Sequence, residues 1–319
     1  MMNMKTNPWG KIKTPNTELN MNAVLASKES LLEFYWGKDS FGNLLFILHT
    51  NLDVKNNKKI PKLNGIKITL GQIESTYQLI LTLTSKDDKD IFHTLCMDLL
   101  DSTKGIDDEN VAIGILLKRL EKWQYFLKHS RNLIDIKQLK GLIGELFFIK
   151  KYLLKNFEVD EALNFWKAPL QSVQDFELNN MAIEVKTKAS MNAITISSCE
   201  QLFTSLDELY LFVLTLTDGT QKDKKSFNIF DLIQEIRELI GLEYVDKFNH
   251  LLLLYGFLEL SEYEEYYFKI STDEFYEVID GFPRISEIPQ SIENLTYRVN
   301  LDACKEFLVK EDFLSYGEK

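Results

Sequence analysis

Two carboxylates and one amine lie close together between Gln174 and Thr187. Asp175 precedes the turn signal Asn179–Asn180, and Glu184 and Lys186 follow it. Because the turn separates two short apolar segments, it predicts a β-hairpin. Side chains alternate along a strand, so Glu184 and Lys186 share one face. Asp175, on the preceding strand, reaches the same end of the sheet, and all three side chains are expected to converge on one patch.

This patch suits a divalent cation. Mg²⁺ prefers carboxylate and carbonyl oxygens together with waters, and Asp175, Glu184 and the carbonyl group of Val185 would supply such oxygens. A bound ion would stabilise charge that develops on a phosphodiester and would lower the pKa of a bound water. Lys186 would hold or polarise the attacking water and offset phosphate charge. In an acidic protein, the ion would also turn two repelling carboxylates into an attractor for phosphate.

A further acidic residue, Glu145, lies on a predicted helix beside its apolar stripe. Glycine costs up to about 1 kcal/mol inside a helix, so Gly141 and Gly144 predict a close approach of this helix to the sheet. An unpaired charge on the buried side of a helix is also costly. Orienting a water or a second metal ion at the same patch would account for Glu145.

Each of these residues also has an ordinary structural interpretation. An Asp followed some residues later by Glu-x-Lys occurs often by chance. In that interpretation, Glu184 and Lys186 form an exposed pair on a strand. Glu145 would then be a surface residue that pairs with Lys140 or Lys151.

The elements predicted around the patch favour a shared site. Hydrophobic periodicity predicts a helix from about Asp135, its N-cap, to Lys155. After the hairpin come a strand at 193–197, a short helix near 199–209, and a strand at 209–215 that is apolar enough for the centre of a sheet. The predicted order is therefore αβββαβ.

Two further regions flank this segment, so the predicted domains are residues 1–108, 109–220 and 221–319. The first is β-rich, because its sequence alternates apolar and polar residues as half-buried strands do, with strands at 31–36, 44–49, 66–70 and 77–83. The last mixes helix and strand, with strands at 266–271, 275–279 and 295–301. The predicted fold class is α/β (α+β), with an αβββαβ core between a β-rich domain and a mixed C-terminal region.

The composition excludes several classes of protein. Of the 319 residues, 45% are hydrophobic and 27% are charged, as in a folded soluble protein and unlike a disordered or fibrous one. The longest apolar runs are too short to span a bilayer, and the first residues contain no apolar signal core. Three scattered cysteines argue against a disulfide framework or a zinc finger. We therefore expect a cytoplasmic protein without a membrane partner.

The net charge of −11 by itself speaks against binding to nucleic acid. The charge is unevenly distributed, however, because residues 111–155 include ten basic and only three acidic residues. Residues 221–319 include eleven basic and twenty-one acidic residues. A second basic cluster contains Lys55, Lys58 and Lys59. A local positive field on an acidic protein would allow contact with DNA, although ordinary charged helix surfaces would give the same bias.

At these residues the chain resembles the PD-(D/E)XK nuclease superfamily, and more closely the bacterial PD-(D/E)XK motif proteins related to restriction endonucleases. The resemblance rests on Gly144-Glu-Leu146, Trp166, Asp175-Phe176, Ile183-Glu-Val-Lys-Thr187 and Ile196-Ser-Ser-x-x-Gln-Leu202. Gly281-Phe-Pro-Arg284 extends it over most of the chain. The departure is Gln174, which stands where the superfamily has a proline before the aspartate.

The resemblance implies a metal-dependent DNA endonuclease that hydrolyses phosphodiester bonds in restriction or antiviral defence. By that resemblance, Asp175 and Glu184 are ligands of Mg²⁺, for which Mn²⁺ would substitute. Lys186 is then the residue that activates water, and Glu145 is an auxiliary acidic residue.

Ser197 and Gln201 fall where related nucleases place a further active-site glutamine. Their ordinary interpretation is a helix cap and a helix surface residue, and both interpretations stay open here. Contacts to nucleic acid are expected from Lys55, Lys58, Lys59, Lys140, Lys188 and Ser197.

The expected partner is DNA. Cleavage of a duplex with one site per chain favours a symmetric homodimer, and methyltransferase or ATPase subunits are further candidate partners. Two other functions stay open from the sequence: a catalytically silent DNA-binding or scaffold subunit of a defence complex, and a nuclease that acts on RNA. A third is an ordinary protein-interaction module.

Overall fold

The computed structural model describes residues 7–18, 20–53, 60–129, 134–285, 288–292 and 295–317. Two compact units form the chain, Met1–Asn132 and Leu133–Lys319. Helices combine with antiparallel and mixed sheets, which confirms the predicted α+β class. Within the described residues, none of the helices has the length and apolar character needed to cross a membrane. The predicted DNA-contacting residues Lys55, Lys58 and Lys59 lie outside the described residues.

The first unit contains a five-stranded antiparallel sheet of order β1-β2-β3-β5-β4. Its strands are β1 (Met21–Leu25), β2 (Glu33–Asp39), β3 (Leu44–Thr50), β4 (Ile66–Ile73) and β5 (Thr76–Leu83). A 3-10 turn (Lys86–Asp88) and two helices follow, α1 (Lys89–Asp101) and α2 (Glu109–His129). The four strands predicted in this region are confirmed.

Trp9 fixes the segment that precedes the sheet of the first unit. Its indole N–H donates to the carbonyl oxygen of Leu45 at 2.8 Å. The ring centroid lies 4.8 Å from that of Trp36 and 5.5 Å from that of Phe92. This buried ring therefore joins the segment before β1 to the sheet and to α1 in one core.

The second unit contains the candidate site. Its strands are β6 (Phe176–Leu178), β7 (Met181–Lys188), β8 (Ala193–Ile196), β9 (Glu208–Asp218), β10 (Phe268–Glu277), β11 (Tyr297–Asn300) and β12 (Leu308–Val309). The main sheet has the order β12-β10-β9-β7-β6, in which β7 and β9 are parallel and the other pairs are antiparallel. β8 and β11 form a separate two-stranded sheet.

Helices surround these strands in the second unit. They are α3 (Ile136–Phe148), α4 (Val159–Phe165), α5 (Ile229–Ile240) and α6 (Leu242–Tyr255). α3 runs on through a π-helical turn (Ile149–Leu153) and a short α-helical turn (Leu154–Asn156). The 3-10 turns are Ala168–Leu170, Cys199–Leu202, Ser261–Glu265, Leu301–Phe307 and Glu311–Gly317.

The predicted N-cap of α3 is confirmed. The side chain of Asp135 accepts a hydrogen bond from the backbone N–H of Gln138 at 2.8 Å, and the Gln138 side chain accepts one from the N–H of Asp135 at 2.9 Å. Such a reciprocal capping box satisfies two N–H groups at the start of the helix.

Two predicted elements differ from the structure. The helix predicted near 199–209 is only the 3-10 turn Cys199–Leu202. The N–H groups of Asp207 and Glu208 donate to the carbonyl oxygen of Asn180, and these hydrogen bonds hold the following residues in an extended conformation. The strands predicted at 266–271 and 275–279 form a single strand, β10. An irregular register between Ile270 and Thr272 accommodates the polar residues between them.

The predicted domain bounds near residues 108 and 220 stay a prediction. In the structure, β10 and β12 come from the predicted C-terminal region and pair in the same sheet as β7 and β9. The sheet that contains Glu184 is thus completed by strands far along the chain.

Gly144 allows α3 to lie directly on β7. A β-carbon at this position would lie 2.7 Å from Thr187 Cγ2 and 3.1 Å from Val185 Cγ1. Gly141, by contrast, does not face the sheet closely, because its nearest neighbour would be the Tyr255 hydroxyl at 3.7 Å. The prediction of a close approach is therefore confirmed for Gly144 and wrong for Gly141.

These two glycines give a matched pair of variants. Gly144→Ala would overpack the contact with the β-branched side chain of Thr187, which typically costs about 1–3 kcal/mol and outweighs the gain in helix propensity of about 1 kcal/mol. Gly141→Ala keeps the gain without the overpacking. In urea unfolding we expect Gly144→Ala to lower the free energy of unfolding and Gly141→Ala to raise it. Equal effects of both variants would contradict the close contact.

Candidate functional site

The β6–β7 hairpin brings the predicted carboxylates together. Phe176 pairs with Ile183 across the hairpin, so Asp175 stands opposite Glu184, one step beyond the end of β6. Asn179 has a φ of 49° in the connecting turn, a left-handed conformation that asparagine tolerates better than most residues. The hairpin predicted from Asn179–Asn180 is confirmed.

Asp175 is fixed by its contacts with the neighbouring backbone. Its Oδ2 atom accepts the N–H of Val185 at 2.7 Å, and its carbonyl oxygen accepts the N–H groups of Lys167 at 2.8 Å and Ala168 at 3.1 Å. Burial raises the pKa of Asp175, although Lys186 and the Val185 N–H oppose the rise. Because the N–H and C=O of one strand residue point to the same edge, the Val185 carbonyl points toward the Asp175 side.

Glu184 is the most deeply buried member of the patch, with 0% of its surface exposed. Lys186 Nζ donates to its Oε1 atom at 2.5 Å. Its Oε2 atom is buried and has no hydrogen-bond partner among the described residues. Burial and the charge of Asp175 raise the pKa of Glu184, and Lys186 and Gln201 lower it; the net pKa is about 8. A buried carboxylate oxygen without a partner is costly, so this oxygen is suited to bind a cation.

Lys186 balances the charge of the two carboxylates. Burial lowers its pKa, but Glu184 and Asp175 raise it more, and the net pKa lies above its ordinary value. The side chain is 15% exposed. Lys186 is therefore a protonated ammonium group at neutral pH that donates hydrogen bonds.

Glu145 lies in the interior and not on the surface. Its Oε2 atom accepts the indole N–H of Trp166 at 2.6 Å, and its Oε1 atom accepts the hydroxyl of Tyr255 at 3.0 Å. Burial raises its pKa well above the ordinary value, and the charge of Asp175 adds to the rise, while both hydrogen bonds lower it. Surface pairing of Glu145 with a lysine is thus wrong. Lys140 instead pairs with Asp218 and Lys151 with Asp273.

Of the two hydrogen-bond partners of Glu145, the sequence singled out Trp166 but not Tyr255. Trp166 is 1% exposed, and its ring centroid lies 6.0 Å from that of Tyr255. The tryptophan therefore serves as a packing anchor that also donates a hydrogen bond. Tyr255 was missed, because it lies 110 residues from Glu145 at the end of α6 and no local pattern connects the two.

Gln201 lies beside the patch. Its Oε1 atom accepts the N–H of Ser197 at 2.9 Å, and its side chain also lowers the pKa of Glu184. The structure therefore turns Gln201 toward Glu184 from the 3-10 turn, while Ser197 is exposed and contributes its backbone N–H. The role of Gln201 in an active site stays a prediction from the resemblance.

Gln174 replaces the superfamily proline and has a structural role that the sequence did not predict. It is 5% exposed, and its Nε2 atom donates to the carbonyl oxygens of Glu200 at 2.9 Å and Phe203 at 2.7 Å. The Gln174 amide thereby holds the turn that contains Gln201. Gln174 itself directly precedes Asp175.

The other predicted contacts to nucleic acid are spread over the second unit. Lys140 Nζ lies 2.9 Å from Asp218 Oδ1 and 5.5 Å from the centroid of the Phe268 ring, so its charge is balanced within the chain. Lys188 ends β7 and is half-buried. It lies two residues after Lys186 and therefore on the same face of the strand.

The residues present fit a hard divalent cation. Within the described part of the chain, no three His, Cys, Asp or Glu side chains are grouped to hold a metal. The available set is two carboxylates, Asp175 and Glu184, and the Val185 carbonyl. Mg²⁺ needs only one or two carboxylates, because it keeps several waters. The buried Oε2 atom of Glu184, which has no partner among the described residues, is the observation that a cation would explain.

A comparison with known families finds a matching family model. Residues 5–302 match the model of the family DUF4420, described as "Putative PD-(D/E)XK family member". No curated protein and no solved structure matches the chain.

The raised pKa of Glu184 predicts a pH-dependent stability of the metal-free protein. The folded chain keeps a proton on Glu184 up to about pH 8, whereas an ordinary glutamate with a pKa of 4.5 has already lost it. Because the folded state then binds more protons than the unfolded state, the free energy of unfolding falls as pH rises through this window. Glu184→Gln imitates the protonated acid and should flatten the decline.

Thermal unfolding in EDTA between about pH 5 and about pH 9 measures this decline. We expect Glu184→Gln to have a higher Tm than the parent protein at the alkaline end. The control, Glu161→Gln, changes an exposed glutamate on α4 and should follow the parent. A parallel decline in parent and Glu184→Gln would show that Glu184 does not hold the proton.

The hydrogen bonds to Glu145 predict a second measurable coupling. Tyr255→Phe leaves the buried Oε1 atom of Glu145 without its donor, which should cost about 1–3 kcal/mol in urea unfolding. In a Glu145→Gln background the same substitution should cost clearly less, since a neutral amide needs that donor less. A double-mutant cycle measures the difference, with Tyr266→Phe as an exposed control. Strictly additive effects would contradict the interaction.

Proposed function

Since the chain belongs to this family of PD-(D/E)XK proteins, we propose that it is a divalent-metal-dependent DNA endonuclease that hydrolyses phosphodiester bonds. The observation that supports this most is the buried Glu184 carboxylate, which lies beside Asp175 and Lys186 and has one oxygen without a partner among the described residues. Folding alone does not require two carboxylates and an ammonium group in so buried a place.

Mg²⁺ is the proposed cofactor, and Mn²⁺ would substitute for it. Asp175, Glu184 and the Val185 carbonyl are the proposed ligands. When bound, the ion supplies positive charge that stabilises the developing charge of the phosphodiester and lowers the pKa of the attacking water. The Oδ2 atom of Asp175 already accepts the Val185 N–H, so the backbone holds this carboxylate in place in advance.

The other residues of the patch position and balance charge. Lys186 stays protonated and orients the attacking water or offsets phosphate charge. Gln201 lies beside Glu184 and favours its ionised form, because its side chain lowers the pKa of Glu184. Glu145 is the auxiliary acidic residue. Both of its oxygens already accept hydrogen bonds, from Trp166 and Tyr255, so it acts on the patch indirectly.

The biological setting is proposed from the family resemblance. It is restriction or antiviral defence in the cytoplasm, with DNA as the partner and a homodimer as the form that cuts both strands. Lys188, on the face of β7 that also presents Lys186, is a contact proposed for the DNA backbone. Methyltransferase or ATPase subunits are further candidate partners.

Cleavage of supercoiled plasmid in Mg²⁺ or Mn²⁺ tests the proposal. Asp175→Ala, Glu184→Gln and Lys186→Met should each reduce cleavage at least about a hundredfold, because each removes several kcal/mol of transition-state stabilisation. The exposed control Glu161→Gln should cleave like the parent protein. The parent protein and Glu161→Gln should gain thermal stability from added Mg²⁺, whereas Glu184→Gln should not.

Other outcomes identify the rival functions. A parent protein that binds DNA but cleaves nothing in any divalent metal would be a silent DNA-binding or scaffold subunit. Faster digestion of RNA than of duplex or single-stranded DNA would make it a nuclease for RNA. Equal cleavage by the parent and Asp175→Ala would place the activity elsewhere.

A further inference from the structure

A cleft of about 580 Å³ lies in the second unit next to the candidate site. Its lining includes Gln174, the residue before Asp175, and the segment 199–206 apart from Gln201 and Leu202. This volume falls within the range of small-ligand sites, about 300–1,000 Å³. The patch around Glu184 does not use the cleft, although both are built from neighbouring residues.

One turn connects the cleft to the patch. The Gln174 amide holds this turn through the carbonyl oxygens of Glu200 and Phe203. From the same turn, Gln201 lies toward Glu184, while Glu200 and Phe203 line the cleft. A ligand in the cleft would therefore lie beside a phosphate held at Asp175 and Glu184.

Phe203 gives the cleft an aromatic wall of fixed orientation. The guanidinium of Arg284 lies 4.6 Å from the ring centroid, and its Nη1 atom donates to the carbonyl oxygen of Leu202 at 3.1 Å. The ring is half-exposed, and Arg284 is not among the residues that line the cleft. A planar group could stack on the part that faces the cleft.

The two carboxylates of the cleft are acceptors of hydrogen bonds. Glu177 accepts the hydroxyl of Ser172 at 2.8 Å. Glu200 is exposed, and its own N–H and the Ser198 hydroxyl lower its pKa, so it is ionised. Both donor positions of the Gln174 amide are used within the chain, which leaves its carbonyl oxygen for a ligand.

These charges exclude one part of a nucleic acid and favour another. Two carboxylates line the cleft, and none of its described lining residues is a lysine or arginine. Such a surface repels phosphate. It suits a neutral ring with an amino group, because carboxylate oxygens accept hydrogen bonds from exocyclic amines of bases such as cytosine N4.

We propose that this cleft binds one nucleobase of the substrate, unstacked from its neighbours, with Phe203 against the ring and Glu200 and Gln174 accepting from its exocyclic amine. The inference rests on the proposed function, because the strand must cross Asp175 and Glu184 to place a base here. Cytosine, adenine and guanine bind in preference to thymine, which has no exocyclic amine. Unstacking costs a few kcal/mol in a paired duplex, so single-stranded or distorted sites bind best.

Binding measured without divalent metal separates this site from catalysis. The probes are fluorescein-labelled oligothymidine strands, either unmodified or with one central cytosine or one abasic site, titrated with the full chain and followed by anisotropy. The strand with cytosine should bind about tenfold more tightly than the other two, as expected for one stacked and hydrogen-bonded base. Phe203→Leu should lose about tenfold in affinity for cytosine, and Glu200→Gln should remove the preference over thymine.

Two controls keep the measurement specific. Leu170→Ala removes a side chain that is 59% exposed and outside the cleft, and Glu161→Gln removes a charge on α4. Both should keep the cytosine preference. Thermal unfolding checks that Phe203→Leu is folded, and Glu200→Gln tests the cleft independently if it is not.

The outcomes distinguish the cleft from the nuclease. Equal binding of all three strands, or an unchanged preference in Glu200→Gln, overturns the base site even if the protein cleaves DNA. Displacement of the probe by an arginine-rich peptide, with no cytosine preference, identifies a peptide site and also overturns it. A preference that depends on Phe203 and Glu200 in a chain that cleaves nothing supports the base site and contradicts the nuclease proposal alone.

Discussion

In the part of the chain that the structure describes, one oxygen of the buried Glu184 carboxylate has no hydrogen-bond partner. Glu184 is fully buried, and Lys186 occupies only its Oε1 atom. Burial keeps a proton on this group well above the ordinary pH range of a glutamate. A divalent cation would replace that proton and satisfy the second oxygen. Much of the surrounding structure therefore serves to hold a costly arrangement in place.

The neighbouring elements hold the arrangement through close contacts. Gly144 brings α3 against β7, so Glu145 comes close enough to Asp175 for their charges to interact. Trp166, just after α4, and Tyr255, at the end of α6, then fix Glu145 through hydrogen bonds. Acidic groups that would otherwise repel one another are thus kept together by hydrogen bonds, by one ammonium group and by burial.

The sequence predicted the parts of this site that depend on local patterns. The Asn179–Asn180 turn and the alternation of side chains along β7 were sufficient to predict that Asp175, Glu184 and Lys186 lie together. The N-cap residue Asp135 likewise marked the start of α3. The sequence predicted a helix near residues 199–209. The Gln174 amide donates to the Glu200 carbonyl, and the Asn180 carbonyl accepts the N–H groups of Asp207 and Glu208, so this segment forms a turn and an extended strand instead. Contacts made by residues distant in the chain decided that outcome.

Anomalous scattering from crystals soaked in Mn²⁺ tests the central claim most directly. The account predicts one strong anomalous peak between the carboxylates of Asp175 and Glu184, within coordination distance of the Val185 carbonyl oxygen. The same soak of Glu184→Gln crystals should show no peak there. Density that stays empty in the parent protein at saturating Mn²⁺, with Lys186 still bound to Glu184, would contradict a metal-dependent function for this patch.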